Sequence, residues 1–291
     1  MIESYVLYSK PTRPTGRTIA RELGVTKFGM RDPEESVYCL IRWGSSRKLP
    51  SQPTVEINPA ASVRRCSDKI ATFEVLQNAG VSVPPWSRDI ADLKRQCGSR
   101  VPGDTFLARR NFLTNGRGIV PFTWNDPVPP ADFYSMYLPP TREYRIHVAN
   151  GQVIRIQGKY CDFPDQAVSN QYVRNHGTGW RYRTPRQDLK PNRKQAAVNA
   201  ISAMGLDFGA VDMMVQSDKG AFYVFEVNSG PACSPLTARC YISNIAAMVR
   251  DRTQGSIKLA PTIWEGRGTD DLEDNVSAES YLGGEDASQG G

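Results

Sequence analysis

Histidine is nearly absent from this chain: His147 and His176 are the only two. The six cysteines (Cys39, Cys66, Cys97, Cys161, Cys233 and Cys240) never approach a C-x-x-C spacing. A structural zinc site needs clustered thiolates and imidazoles, so none is expected, and a chain of 291 residues has no need of a disulfide framework. There is no G-x-x-x-x-G-K-[ST] loop, which excludes a P-loop nucleotidase. No Ser/His/Asp or Cys/His arrangement offers an activated nucleophile. No basic leader with an apolar core opens the chain, and no apolar run reaches transmembrane length, so the expectation is a reduced, cytoplasmic protein without a membrane partner.

What is present is the composition of a globular protein, 40% hydrophobic and 23% charged, with length for two ordinary domains. The net charge of +6 is unevenly spread. From Trp264 onward eight acidic side chains face a single arginine, so that stretch carries −7 and the remainder about +13. A basic body favours anionic partners: nucleotide phosphates, acidic peptides or nucleic acid. The Gly-, Ser- and acid-rich stretch 264–291 is expected to be disordered.

Along the chain, "SYVLYS" and "SVYCLIRWG" read as buried strands around a short helix, Gly16–Gly24, which suggests a small parallel α/β unit. Ser67–Gly80 reads as a helix capped by Ser67, and "VSVPPW" as a strand behind it. Thr105–Phe122 reads as strand, glycine loop, strand. Arg142–Tyr160 is the strongest hairpin signal, with two alternating runs about the type I′ dipeptide Asn150-Gly151. A helix capped by Asn192 follows, then a hairpin about Asp218–Gly220, then a helix over Thr237–Thr253. Trp43 and Trp180 read as packing residues.

The chemistry concentrates in "VFEVNSGP". Strand side chains alternate, so Glu226 and Asn228 share a face of an otherwise apolar strand. If Asp218–Gly220 closes the turn, Ser217 pairs with Ala221, and counting outward sets Asp212 opposite Glu226. Two carboxylates that close repel unless one is protonated or a cation lies between them. Hard oxygen donors without His or Cys point to Mg²⁺ completed by phosphate and water. Gly116 and Gly118 in "LTNGRGI" offer backbone N–H groups to phosphate, and Arg109 and Lys69 are candidate phosphate cations. On the hairpin, Glu143, Arg145 and His147 share a face.

The order of "SDKIATFEVLQNAGVSVP", "FLARRNFLTNGRGIV", "EYRIHVANGQVI", "YVRNHGTGW", "AMGLDFGAVDMM" and "FEVNSGP" resembles the ATP-grasp superfamily, and within it the glutamate-ligase-like carboxylate–amine ligases and their virus-encoded relatives. The resemblance spans about Cys66 to Val249. It implies an α/β (α+β) fold: a small α/β domain over 1–65, ATP-grasp subdomains over 66–137 and 138–263 that clasp ATP, and the tail over 264–291. It also implies that Asp212, Glu226 and Asn228 bind two Mg²⁺ ions (or Mn²⁺) bridging the ATP phosphates. Lys69, Arg109, Gly116 and Gly118 would meet phosphate, and the backbone of Met136, Tyr137 and Leu138 the adenine. Arg145, Lys159, Arg174 and Asn175 would serve the γ-phosphate and an acyl phosphate. Arg109 departs from the family, which has a lysine there. The implied activity joins a small-molecule carboxylate and an amine (amino acid, peptide or protein terminus) through an acyl phosphate. A phosphotransferase on the same scaffold, or a non-catalytic nucleotide-binding or nucleic-acid-associated module, stays open as an alternative, with nucleic acid not favoured.

Overall fold

The structure, a computed structural model, describes residues 1–98, 104–113, 116–139, 142–162, 172–185, 187–216 and 220–259. The chain opens with β1 (Ile2–Tyr8) and α1 (Arg13–Leu23), the latter ended by Gly24 at φ 65, as read. Its start lies earlier than Gly16, because Pro14 suits a first turn whose N–H groups have no helical partner anyway. β2 (Lys27–Gly29), β3 (Val37–Trp43) and β4 (Val55–Ile57) complete a parallel sheet in the order β2-β1-β3-β4.

Two corrections follow at once. Ser67 is not a cap but the last residue of a helix absent from the sequence reading, α2 (Ala60–Ser67). Asp68, in extended conformation, breaks the run and caps α3 (Lys69–Asn78), its carboxylate accepting from Ala71 N at 2.9 Å. "VSVPPW" is largely irregular, since Pro84 and Pro85 bring no N–H to a ladder; only β5 (Trp86–Ser87) pairs. α4 (Ile90–Cys97) was also unread, its buried stripe being only Leu93 and Cys97. β6 (Thr105–Arg109), β7 (Val120–Thr123) and β8 (Phe133–Met136) join β5 in an antiparallel sheet ordered β5-β8-β6-β7.

β9 (Arg142–Ala149) and β10 (Gln152–Cys161) form the expected hairpin, with Asn150 at φ 52 and Gly151 at φ 71. A single 3₁₀ turn, His176–Thr178, leads into β11 (Trp180–Arg183). In α5 (Pro191–Ala203) Asn192 lies inside the helix and Lys190 takes the cap position, its side chain not capping the helix, so Asn192 is not the cap. β12 (Phe208–Val215) and β13 (Phe222–Asn228) end an antiparallel sheet ordered β11-β10-β9-β12-β13; residues 217–219 of their turn lie outside the described residues. α6 (Pro235–Arg252) begins at a Ser234 cap. The acidic stretch 264–291 lies outside the described residues, among which no helix is long and apolar enough to cross a membrane.

The described residues divide into two compact units, one of Met1–Ile57 with Gly230–Leu259, the other within Asn58–Ser229. In the first, buried Trp43 meets Tyr241 edge to face at 5.1 Å, so its packing role stands. In the second, α5 covers one face of the five-stranded sheet. Ala197, Ala200, Ile201 and Met204 join Tyr144, Ile146, Val148, Val211, Met213, Val224 and Val227 in a single core. Each such aliphatic side chain contributes about 1.5–3 kcal/mol by burial. That packing fixes which way the strands face, and it turns the alternate residues of β9, β12 and β13 onto the other face together.

Candidate functional site

Asp212 stands opposite Glu226, as read, but not for the reason the count supplied. Near the turn Val215 pairs with Phe222 and Met213 with Val224, one residue away from the counted register. A bulge then absorbs Phe225 and restores the Asp212–Glu226 pairing. The bulge also lets Val224 and Val227, three apart, both reach the α5 core, while Glu226 and Asn228 face away from it. Strict alternation from Val224 would have put Glu226 in the core.

On that second face Arg145 lies directly across from Asp212 on the neighbouring strand and grips it with two bonds of 2.7 Å. Burial raises the Asp212 pKa, but the Arg145 charge outweighs it and holds the carboxyl below the usual range. Arg145 itself stays charged despite its burial because of Asp212, and its guanidinium lies 4.4 Å from the Tyr182 ring centre. Glu226 is different. No described residue donates a hydrogen bond to it, and burial, reinforced by the Asp212 charge, raises its pKa. Beside it the Asn228 Nδ2 is buried without an acceptor among the described residues.

The two phosphate cations named from sequence face this carboxylate. Lys69 opens α3, where the helix dipole disfavours a cation. Its ammonium is held by the carbonyls of Asn111, at 3.2 Å, and Leu113; burial lowers its pKa and the Glu226 charge partly restores it. Arg109 lies half-buried between Phe73 and Phe133, its guanidinium 5.8 and 5.2 Å from their ring centres, with a buried Nε that lacks an acceptor among the described residues. Burial lowers its pKa and Glu226 counters that. A flat guanidinium suits an aromatic slot better than an ammonium does, which gives a physical reason for arginine at this position.

Next to the Arg145–Asp212 pair lies a second ionic group. Glu143 accepts from Lys159 Nζ at 2.9 Å and from Arg174 Nη1 at 3.0 Å. Arg174 rests 4.8 Å from the Trp180 ring centre, so Trp180 serves as a platform for a charge as well as packing. Asn175 uses its side-chain oxygen to accept from Thr178 N at 3.1 Å, which shapes the 3₁₀ turn. Glu143, at the centre of this ionic group, is absent from the site residues named from sequence, although its alternation with Arg145 was visible.

Gly116 and Gly118 adopt φ values of 73 and 70, where a side chain is strained, and a Cβ on Gly116 would lie 2.3 Å from Val173 Cγ1. Thr114 and Asn115 of the same loop lie outside the described residues. In the segment named for adenine, Met136 N donates to Pro85 O at 2.8 Å and Tyr137 N to Thr105 O at 2.9 Å. Of the three N–H groups, only that of Leu138 has no acceptor among the described residues. Tyr137 packs against Tyr172 at 4.7 Å.

Among the described residues no three of His, Cys, Asp and Glu cluster as a metal site. The donors that do converge are two carboxylates and an amide, with Glu226 unbonded and the Asn228 Nδ2 without an acceptor among the described residues. Such hard oxygens fit Mg²⁺, whose remaining positions phosphate and water would fill.

No protein-family model and no curated protein sequence matches this chain. Its fold has solved counterparts. The ATP-grasp ligase PsnB, complexed with its minimal precursor, superposes with a TM-score of 0.59 at 14% identity, over 86% of this chain and 100% of that one. D-alanine–D-alanine ligase from Bacillus anthracis gives 0.61 at 14% identity, over 87% and 99%. N5-carboxyaminoimidazole synthetase from Staphylococcus aureus, complexed with ADP, gives 0.53 at 12%, over 79% and 71%. The chain therefore has the ATP-grasp fold that its motif order implied.

Proposed function

We propose that this protein is an ATP-dependent carboxylate–amine ligase. The observation that carries the reading is Glu226, a half-buried carboxylate without a hydrogen-bond donor among the described residues, facing Lys69 and Arg109 and set opposite the Arg145–Asp212 pair on an ATP-grasp fold. Partial desolvation and the neighbouring Asp212 charge both disfavour the ionised form of such a group, and a bound cation relieves both. Solved proteins of the same fold support the reading: the Bacillus anthracis ligase complexed with ATP, and PsnB complexed with Mg and ADP. Asp212, Glu226 and Asn228 would hold Mg²⁺. Bound there, the ion would neutralise phosphate charge and polarise the transferred group.

In this reading Lys69 and Arg109 bind ATP phosphates, with the turn at Gly116 and Gly118 beside them. The substrate carboxylate oxygen attacks the γ-phosphorus, the bond to ADP breaks, and an acyl phosphate forms. The amine nitrogen then attacks the acyl carbon, phosphate leaves with the bonding pair, and the nitrogen loses a proton. Arg145, Lys159 and Arg174 neutralise charge on the transferred phosphoryl group, and Asn175 shapes the stretch that carries Arg174. No side-chain nucleophile is needed. The carboxylate and amine belong to amino acids, peptides or a protein terminus.

The test is ADP and phosphate release across a panel of amino acids and peptides, with product mass measured. Release that requires a carboxylate and an amine together is the expected result. Phosphate retained on the product, or no binding of Mg-ATP, overturns the reading.

A further inference from the structure

Glu143 lies on β9, two residues before Arg145, with a side chain only 10% exposed. Both of its oxygens are used. Oε2 accepts from Lys159 Nζ of β10 at 2.9 Å, and Oε1 accepts from Arg174 Nη1 at 3.0 Å. The Lys159 ammonium makes a further bond of 2.8 Å to the Arg174 carbonyl. One carboxylate thus ties two strands of the sheet to the stretch that precedes the 3₁₀ turn. Each cation also lies over an aromatic face, Lys159 at 5.4 Å from the Tyr182 ring centre and Arg174 at 4.8 Å from that of Trp180.

A ring face and a carbonyl do not keep a lysine charged when its side chain is only 9% exposed. Burial lowers the Lys159 pKa; Glu143 raises it most among the neighbouring charges, then Tyr182 and Asp212, and the balance lies above the ordinary value. The charged and titratable groups around this ammonium are Glu143 and Arg145 of β9, Asp212 of β12, Tyr182 of β11, and Arg174.

We propose that Glu143 is a positioning residue of the ligase site: it holds the Lys159 ammonium and the Arg174 guanidinium as one pre-set pair. What the pair acts on rests on the ligase reading; the pairing does not. Glu143→Gln keeps the shape and removes the charge. Its kcat is expected to fall about 10–100-fold, the range seen when a supporting carboxylate is lost, with a smaller change in KM for ATP. Its rate should fall further as pH rises over the alkaline range, and at lower pH than the wild-type rate does, because without Glu143 Lys159 loses its proton more readily. Adding Lys159→Arg should remove that fall, because a guanidinium does not deprotonate in this range.

A readout without turnover uses an amine-selective acylating reagent, which reacts only with neutral lysine, and mass spectrometry. At about pH 8, labelling of Lys159 relative to exposed Lys258 should rise about tenfold in Glu143→Gln for each unit lost from its pKa. Glu143→Asp should keep it slow. Equal labelling in wild type and Glu143→Gln, or an unchanged kcat, overturns the proposal. If Glu143→Gln does not fold, wild-type Lys159 that labels as fast as Lys258 overturns it instead. A wild type that releases no ADP yet shows the labelling difference sinks the ligase reading and leaves the pairing intact.

Discussion

The two faces of β9, β12 and β13 are made of alternate residues of the same strands, and fully buried residues lie on both, although Arg145, Glu226 and Asn228 of the polar face are half-buried. Ile146 and His147 are both 0% exposed, and Asp212 only 3%. Burial therefore does not separate core from site here. What separates them is how each group is compensated. Toward α5, Ile146, Val211 and Met213 lose only contact with water and gain packing. On the other face each buried charge gives up its hydration, and recovers it from a named partner: Asp212 from Arg145, Lys159 from Glu143. Of Asp212, Glu143 and Glu226, only Glu226 has no such partner among the described residues.

That exception gives the largest expected effect. Glu226→Gln should lower ligase turnover by about 10²–10³, as when one preorganised charge contact to the transition state is lost. The same variant should be more stable than wild type at neutral pH without Mg-ATP. A carboxyl whose pKa is raised by folding is destabilising when ionised, and the amide removes that cost, about 0.5–2 kcal/mol. ADP release and a thermal melt check the two halves. A lower melting temperature would mean that Glu226 has a partner, and the contrast with Asp212 would disappear.

Asp212→Asn should move stability the other way. It strands the buried Arg145 guanidinium, at a cost of about 3–5 kcal/mol read from urea unfolding. Because folding lowers the Asp212 pKa, the stabilisation is present above the ordinary carboxylate range and is lost as pH falls through the folded value. Replacing both partners, Asp212→Leu with Arg145→Met, should recover much of the loss. If the double variant is no better than the single one, the pair is not the unit of compensation on this face.

Much of this arrangement is legible in the sequence because it rests on alternation. Asp212, Glu226, Asn228 and the Glu143–Arg145–His147 face follow from period two and two turn signals. The Phe225 bulge does not, since nothing in "YVFEV" marks which residue drops out of the ladder; the correct pairing came from a loop register one residue off. Glu143 was placed on the right face without a role, because its partners come from 16 and 31 residues away, a fact of tertiary structure. α2 and α4 escaped for a local reason: each is eight residues with two buried positions, too short for a helical period to repeat. "VSVPPW" carried strand-forming valines, but its prolines removed the donors a ladder needs.

The apolar face should respond to a different kind of change. Ile146→Ala, one residue from Arg145, is expected to cost about 2–5 kcal/mol in urea unfolding, as cavity-forming core substitutions do. It should leave turnover per folded molecule and its pH dependence unaltered. Lost activity beyond the unfolded fraction would show that the two faces are mechanically coupled.

His147, the next residue, sharpens the comparison through pH. It is completely buried on the polar face, 2.9 Å from Gln157 Oε1. Burial pushes its pKa down to about 4, with Arg145 adding to the fall and Gln157 and Asp212 opposing it. The unfolded chain, with an ordinary imidazole near about 6.5, therefore takes up the proton first. Stability is full above about pH 6.5 and declines as pH falls toward about 4, by about 1.4 kcal/mol per unit, or about 2 kcal/mol at about pH 5. His147→Gln keeps a polar neighbour for Gln157 and cannot titrate, so its melting temperature should stay flatter over that window. Ile146→Ala, by contrast, should lower the whole curve without changing its slope. Parallel acid losses in wild type and His147→Gln would assign the slope to another group, and the polar face would then be compensated at His147 as fully as the apolar face is at Ile146.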